Sequence, residues 1–235
     1  MDSADTIVRC DDCSMRSHGI LKDVPDEVFE HISCCMTGYK FPAKHLIFLE
    51  GNPCDQLGSI RKGQVKLSKQ GENGKTQIIG SVGPGFIIGW EAFRGKPYQS
   101  TAETLTEVEL CMTTREKIVD QMREFPDLAL GLVGFLCYWI AELEQKMLHL
   151  GTFSTRQRLA AYLLSAYESE ECFGDKGSVQ LILSRQEIAD TLGMAKETLI
   201  RLLAKFAEKG VVTLDGSCIV IDDPQKLSQI LSASI

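Results

Sequence analysis

Two groups of residues in this chain have side chains and spacing suited to chemistry. Lys196, Glu197, Ile200 and Arg201 recur at steps of one, three and one residues, which puts them on one side of a helix. Cations, a carboxylate acceptor and an apolar side chain on one exposed face suit a DNA groove. There, cations meet phosphates and polar groups meet base edges. Cys10 and Cys13 form the second group, a Cys-x-x-Cys pair close enough to share a metal centre or a redox couple. The chain has nine cysteines. In a cytosolic protein they read as buried small hydrophobes or as ligands, not as a disulfide framework.

The first group requires a helix held clear of its own domain. SRQEIADTLGMAKETLIRLLAKFAEK, from Ser184 to Lys209, supplies one. Ser184 is an N-cap residue, and Glu187 three residues later completes a capping box. Ile188, Ala189 and Leu192 then share one face of a short helix, and Gly193 ends it in a left-handed turn. A second helix from about Ala195 buries Leu199, Leu202, Leu203 and Phe206, and small Ala189 lets the helices cross closely. The pattern predicts a helix-turn-helix; an ordinary amphipathic helix pair is the alternative. After Gly210, VVTLDGSCIVI gives two β-rich runs around Asp215-Gly216, a type I′ hairpin signal that turns the motif into a winged helix. Val179 to Leu183 is expected to be a short strand joining that wing.

At 235 residues the chain is long enough for two cores. Its net charge of -7 excludes wholesale affinity for nucleic acid. Arg185, Lys196, Arg201, Lys205 and Lys209 are nearly balanced by Glu187, Asp190, Glu197 and Glu208, so DNA affinity must come from placement and from two copies acting together. Met1 to Asp12 is polar and acidic, with no signal-peptide core. The most apolar stretch, Leu128 to Ala141, is shorter than a bilayer requires, so a cytoplasmic protein with no membrane partner is expected.

Val24-Pro25-Asp26-Glu27 starts a short helix with Val28, Phe29 and Ile32 on its apolar side. From Phe41 to Thr114, short apolar runs alternate with Gly, Pro and Asn clusters, which predicts an antiparallel sandwich or barrel with a hairpin tip at Glu72-Asn73-Gly74. Phe125-Pro126-Asp127 interrupts a helix that begins at Arg115. A long helix follows to about Leu150, with Leu128, Leu132, Leu136, Trp139, Leu143, Met147 and Leu150 at steps of three and four. Its first half is apolar nearly all round and must be covered by the β domain and a partner chain. Its second half has the amphipathic pattern of a coiled-coil seam; a central helix of a monomer is the alternative. Thr152 to Glu171 is a further amphipathic helix.

Short lead, β-roll, long helix and winged helix, in that order, resemble the cAMP receptor protein/FNR (Crp/Fnr) family of bacterial transcription regulators. The most specific stretch is SRQEIADTLGMAKETLIRLLAKF; Ile60-Arg61-Lys62-Gly63 and Gly83-Pro84-Gly85-Phe86-Ile87-Ile88-Gly89 resemble the family's glycine-marked corners. The resemblance implies an α+β chain. Residues 1–23 are a lead with a Cys pair, and 24–126 a cyclic-nucleotide-binding-type β-roll (double-stranded β-helix or jelly roll). Residues 127–151 are a dimerisation helix, and 152–235 a winged helix-turn-helix. It implies a homodimer through 127–150 on a two-fold, double-stranded DNA operator, with RNA polymerase as a further partner. Glu197 and Arg201 hold the family's base-reading positions. Arg can donate to guanine O6 and N7, and Glu can accept from cytosine N4. A surface Glu–Arg pair without a DNA role is the alternative. Lys196 resembles the basic residue of the cAMP receptor protein type, whereas Ile200 departs from the Gly or Ser of the best-known branches. Ser184 and Arg185 are expected on phosphate.

The sensed signal has three readings. Where the family's cAMP-binding members carry Gly-Glu-Leu and then Arg-Ser or Arg-Thr, this chain has Gly89-Trp90-Glu91 and then Gln99-Ser100. These five residues are the effector-pocket candidates, but Gln99 brings no charge to offset a buried phosphate, which argues against cAMP. FNR-like members bind an iron–sulfur cluster through three N-terminal cysteines and one in the β-roll. Cys10, Cys13 and Cys111 match three of those places, while Gly19 stands where the remaining cysteine belongs, leaving the fourth ligand unknown. Haem, a small organic effector or a thiol switch at Cys10/Cys13 is the third reading. His18, His31, His45 and His149 include no pair with ligand spacing on one helix.

No enzyme is expected. Cupin-type metal catalysis needs several converging His and carboxylates, and the β region holds only His45. The rival of another class is a protein-interaction module that uses its winged helix without DNA.

Overall fold

The computed structural model describes residues 26–168, 178–180, 183–216 and 218–232. Cys10, Cys13, His18, Gly19 and the Val24-Pro25 start of the first helix lie outside these residues. Contacts divide the chain inside one helix, between Ala141 and Glu142.

In the first unit, α1 (Asp26–Cys35) buries Phe29 and Ile32. Strands β1 (Thr37–Phe41), β2 (Leu46–Phe48), β3 (Gln56–Lys62), β4 (Val65–Gln70), β5 (Thr76–Val82), β6 (Ile87–Ile88), β7 (Thr101–Thr104) and β8 (Val108–Thr114) follow. They form two four-stranded sheets, ordered β1-β8-β3-β6 and β2-β7-β4-β5, with antiparallel pairings. This is the sandwich that the alternating runs predict. Period-two alternation sends Val65, Leu67, Val108, Leu110 and Met112 into a shared core with Phe41, Ile60 and Ile88. The hairpin tip falls at Gly71–Lys75 as expected, where the Gly71 N–H donates to Lys75 O at 2.8 Å. Gly63 (φ +85°) is obligatory at its corner, because a Cβ there would stand 2.1 Å from Glu107 O.

Helix α2 (Arg115–Glu124) is capped by the Thr114 side chain, which accepts from Lys117 N–H. After Phe125 the chain restarts as α3 (Pro126–Thr152), a 27-residue helix with Pro at its first position. Leu128 packs with Phe29 and Ile32, and Leu132, Phe135 and Leu136 pack with Leu57, Ile87, Ala92 and Ile118. Trp139 joins the sandwich core, edge-on to Phe86 at 4.8 Å. The anticipated stripe is therefore, in its first half, the face that covers the sandwich.

A different stripe is free. Leu130, Val133, Cys137, Ile140, Glu144 and Met147 recur at alternating steps of three and four, and all are exposed, Leu130 by 68% and Met147 by 70%. That spacing is the heptad pattern of a coiled-coil seam, with Glu144 as the one polar member of the six. By length and composition α3 would also pass as a membrane-crossing helix, which the stretch Leu128–Ala141 alone did not suggest. Leu128, Leu132 and Trp139 are instead buried in protein.

The second unit holds the end of α3, α4 (Thr155–Glu168), β9 (Ser178–Gln180), α5 (Arg185–Thr191), α6 (Lys196–Glu208), β10 (Val212–Asp215), β11 (Cys218–Ile221) and α7 (Pro224–Ser232). Leu159, Leu163 and Leu227 are fully buried, and Gln157 Nε2 donates to Leu231 O at 3.4 Å, so α7 closes the core over α4. The sequence reading passed over α7. Its start signal is present nonetheless: the Asp223 carboxylate accepts from Lys226 N–H at 3.0 Å, with Pro224 in the first turn.

The free stripe predicts self-association through α3. The double substitution Val133→Glu, Ile140→Glu should convert the dimer to a monomer by light scattering. Both side chains are exposed in the single chain, so unfolding measured at dilutions where the wild type is also monomeric should change by no more than about 0.5 kcal/mol.

Candidate functional site

The helix-turn-helix is built by short-range bonds. The Ser184 hydroxyl accepts from Glu187 N–H at 3.3 Å, and the Glu187 carboxylate accepts from Ser184 N–H at 2.9 Å, which is the expected capping box. At the other end of α5, Met194 N–H donates to Ala189 O (3.0 Å) and Gly193 N–H to Asp190 O (3.4 Å). This is a Schellman closure, and it requires the left-handed Gly193 (φ +59°). Ile188, Ala189 and Leu192 are buried as predicted.

Helix α6 begins at Lys196 after Ala195, which makes no side-chain capping bond. Its first-turn amides and the positive end of its dipole are thus left for a partner outside the helix. Leu199, Leu203 and Phe206 are buried and Leu202 half-buried, so the inward face is fixed. Lys196, Glu197, Ile200 and Arg201 are exposed, Ile200 by 50%. Among the described residues Lys196, Glu197 and Arg201 have no hydrogen-bond or ion-pair partner. The structure therefore brings together the face that the spacing predicted.

Two further predicted DNA residues are engaged within the protein. Ser184 holds the capping box, leaving only its hydroxyl proton to donate outward. Arg185 is half-buried and donates through Nη2 to Gly216 O at 3.4 Å, tying α5 to the wing. Burial lowers its pKa while Tyr162 acts the other way, and the guanidinium remains charged. Nothing in the sequence signals this contact across the domain. The wing is a three-stranded sheet ordered β10-β11-β9, and β9 supplies the predicted extra strand. Asp215 pairs with Cys218, so β10 runs through Asp215 and the turn begins at Gly216, one position later than the Asp215-Gly216 turn expected from sequence. Gly216 takes the positive φ (+55°) that such a loop requires, while Asp215 is still strand.

The pattern of the cyclic nucleotide-binding domain matches residues 39–125, and that of the Crp-like helix-turn-helix domain matches residues 157–230. The nitrogen fixation regulation protein FixK of Rhizobium meliloti is 30% identical over 185 residues, which span 78% of this chain and 82% of that protein. This chain belongs to the Crp/Fnr family. A CRP-like cAMP-activated global transcriptional regulator of Mycobacterium tuberculosis is 26% identical over 216 residues, 90% of this chain and 95% of its own. The structure of FixK2 from Bradyrhizobium japonicum superimposes with a TM-score of 0.74 at 24% identity, covering 85% of this chain and 99% of that one. The chain is thus a DNA-binding transcription regulator of the Crp/Fnr family, and relatives in this family support DNA and a second copy of itself as partners.

In this Crp/Fnr chain the sensor candidates fall into two places. Gly89 (φ +76°) opens a 3₁₀ turn at Trp90–Arg94, and a Cβ on it would stand 2.5 Å from Gln56 O. Trp90 packs on the sandwich core and lies 6.3 Å from Phe135. The Glu91 carboxylate accepts from Gln99 N–H at 3.2 Å, Gln99 Nε2 donates to Pro97 O, and Ser100 is buried. Beside them, the Cys54 thiol donates to Gly89 O at 3.3 Å; burial first, and Glu91 second, push its pKa up to about 11. Cys54 is accordingly a protonated, unreactive thiol at neutral pH.

Cys111 is in β8, paired with Gly38 on one side and Ser59 on the other. Alternation puts it on the opposite face from Val108, Leu110 and Met112, together with Thr113, whose hydroxyl donates to Cys35 O in α1 at 2.9 Å. Among the described residues no group of three or more His, Cys, Asp or Glu converges to hold a metal.

The capping box predicts a measurable local contribution. Ser184→Ala should destabilise the helix-turn-helix by about 1 kcal/mol and raise amide exchange in α5, while Ser184→Asp, which also caps, should restore the wild-type exchange pattern.

Proposed function

We propose that the protein binds a two-fold operator as a homodimer, with α6 of each copy in a major groove. Glu197 and Arg201 read base edges, Lys196 meets phosphate and Ile200 meets a thymine methyl or a neighbouring sugar. The carrying observation is the exposed, unpaired face of a helix whose first turn is itself uncapped. Arg185 keeps spare donors for phosphate after its bond to Gly216, and the Ser184 hydroxyl proton is a weaker contributor. On this reading the protein works in the cytoplasm, is not an enzyme, and has RNA polymerase as a further partner. The domain division at 1–23, 24–126, 127–151 and 152–235 is retained as a functional division. Its wing serves DNA and not a protein partner, because the exposed face of α6 carries Lys196 and Arg201.

The input reading is a redox signal and not cAMP. The Glu91 carboxylate already occupies the Gln99 amide in the region where a cyclic phosphate would need donors, and Gln99 itself is turned to Pro97 O. A phosphate there would face a carboxylate and find no guanidinium. Cys111, on the face of β8 shared with the contact to α1, supports a sulfur-ligated group assembled with Cys10 and Cys13, which lie outside the described residues. An iron–sulfur cluster there would supply an oxygen-sensitive link between the N-terminal lead and the sandwich. The described residues do not complete its ligand set. Haem or another small effector is the alternative.

Arg201→Ala and Glu197→Ala should each relax base preference at one operator position by about 1–3 kcal/mol in titrations against operators selected from random palindromes. Equal loss on every sequence would reduce them to backbone contacts. Protein purified without oxygen should show iron and visible absorption that Cys111→Ala removes; a colourless, iron-free product would refute the cluster.

A further inference from the structure

Within the second unit, the last turns of α3, the adjoining face of α4 and the end of α5 enclose a cavity of about 240 Å3. The DNA-contact reading gives it no role. Its walls carry two basic side chains, Lys146 and Arg158, against one carboxylate, Glu142. Arg158 Nη1 donates to Leu150 O at 3.4 Å, but its Nε is buried with no hydrogen-bond partner among the described residues. A buried guanidinium N–H is costly to leave unmet. His149 is fixed as the cavity's polar wall, held by Gln145 at 2.8 Å and stacked on Phe153 at 4.4 Å. Tyr162 adds a hydroxyl-bearing ring, and Leu192 closes the side that belongs to the helix-turn-helix.

Helix phase keeps this cavity clear of the dimer seam. At 3.6 residues per turn, Glu142, Lys146 and His149 fall on the side of α3 opposite Ile140, Glu144 and Met147. A second copy seated on the seam leaves the cavity open. Burial lowers the pKa of Lys146, with Glu142 pulling it back, and burial lowers that of His149 as well. A lysine ammonium stripped of water in this way gains most from an oxyanion.

We propose that this cavity binds a small oxyanion, a phosphate or carboxylate group on a compact molecule, held by Arg158 and Lys146, and that its occupancy changes the DNA affinity of the adjoining helix-turn-helix. The lever is short: Leu192 is the C-cap of α5, and the next residue, Gly193, is packed so closely that a Cβ on it would meet Leu150 at 3.2 Å and Arg158 Nη1 at 3.7 Å. An anion that repositions Arg158 acts on the turn that aims α6. The site is independent of the operator reading above; the coupling rests on it.

The test is calorimetric titration of the full-length protein with sodium phosphate in one arm and sodium malonate in the other, at constant ionic strength. At least one arm should saturate at one anion per chain with a Kd of about 1 mM or tighter. Lys146→Gln and Arg158→Gln should each weaken it about tenfold, and Glu142→Gln should tighten it by removing the opposing charge. Glu142 is exposed, so that variant keeps the test decisive if Arg158→Gln does not fold. The saturating anion should then shift operator affinity by about fivefold or more, and Lys146→Gln should abolish the shift. No saturable binding in either arm, or binding indifferent to all three substitutions, overturns the site. Anion binding without any change in operator affinity overturns the coupling, while loss of operator binding altogether would count against the DNA reading and not against the cavity.

Discussion

Gly80 has no side chain, and Trp139 takes the space. A Cβ at Gly80 would stand 3.0 Å from the indole Cη2, a tight contact, so glycine lets α3 approach β5 at this point without displacing the ring. The indole then meets Phe86 edge-on and completes the core that both sheets share. A buried ring of that size is worth about 3–5 kcal/mol. Fixing Trp139 inward also fixes the rotation of α3 about its own axis. Leu128, Leu132 and Leu136 follow Trp139 onto the sandwich, and Leu130, Val133, Cys137 and Ile140 are thereby turned out. The seam for a second copy is thus a by-product of how the first copy packs.

The output end depends on a different kind of constraint. The Ser184–Glu187 box starts α5, and the Gly193 closure ends it after two turns. Each is a local device worth about 1 kcal/mol, small beside a core residue. What they control is direction: between them they fix where α6 begins, and Leu199, Leu203 and Phe206 fix which side it hides. On the face that remains, Lys196, Glu197 and Arg201 are left without partners among the described residues. Arg185 extends this frame to the wing through Gly216, so that α5 and the wing are linked by one bond.

Legibility followed range. The capping box, the Gly193 turn and the sandwich texture were all readable, because each rests on residues within a few positions of one another; the extra wing strand, expected at Val179–Leu183, is found at Ser178–Gln180. The heptad was only half readable. An apolar helix with residues at every angle offers several stripes of threes and fours, and periodicity alone picked the one through Leu128 and Trp139. Which stripe is free depends on Gly80 and Phe86, more than fifty residues away. The wing turn moved by one residue because strand pairing, not the Asp-Gly signal, decides where a ladder ends. Helix α7 carried a plain Asp223-Pro224 start and went unread through omission, not through any lack of signal.

The amino-acid order was sufficient for the class of protein: which stretches are helix or strand, where the second helix of the helix-turn-helix starts, and which four residues its first turns expose. These follow from local sterics, capping and side-chain periodicity, which act within one or two turns of chain. Folding added what no local rule contains. It chose the outward stripe of α3, committed Glu91 to the Gln99 amide, set Cys111 on the face of β8 toward α1, and gathered Lys146 and Arg158 around one cavity. Each of these joins residues distant in sequence, and close packing admits only one arrangement of them at a time.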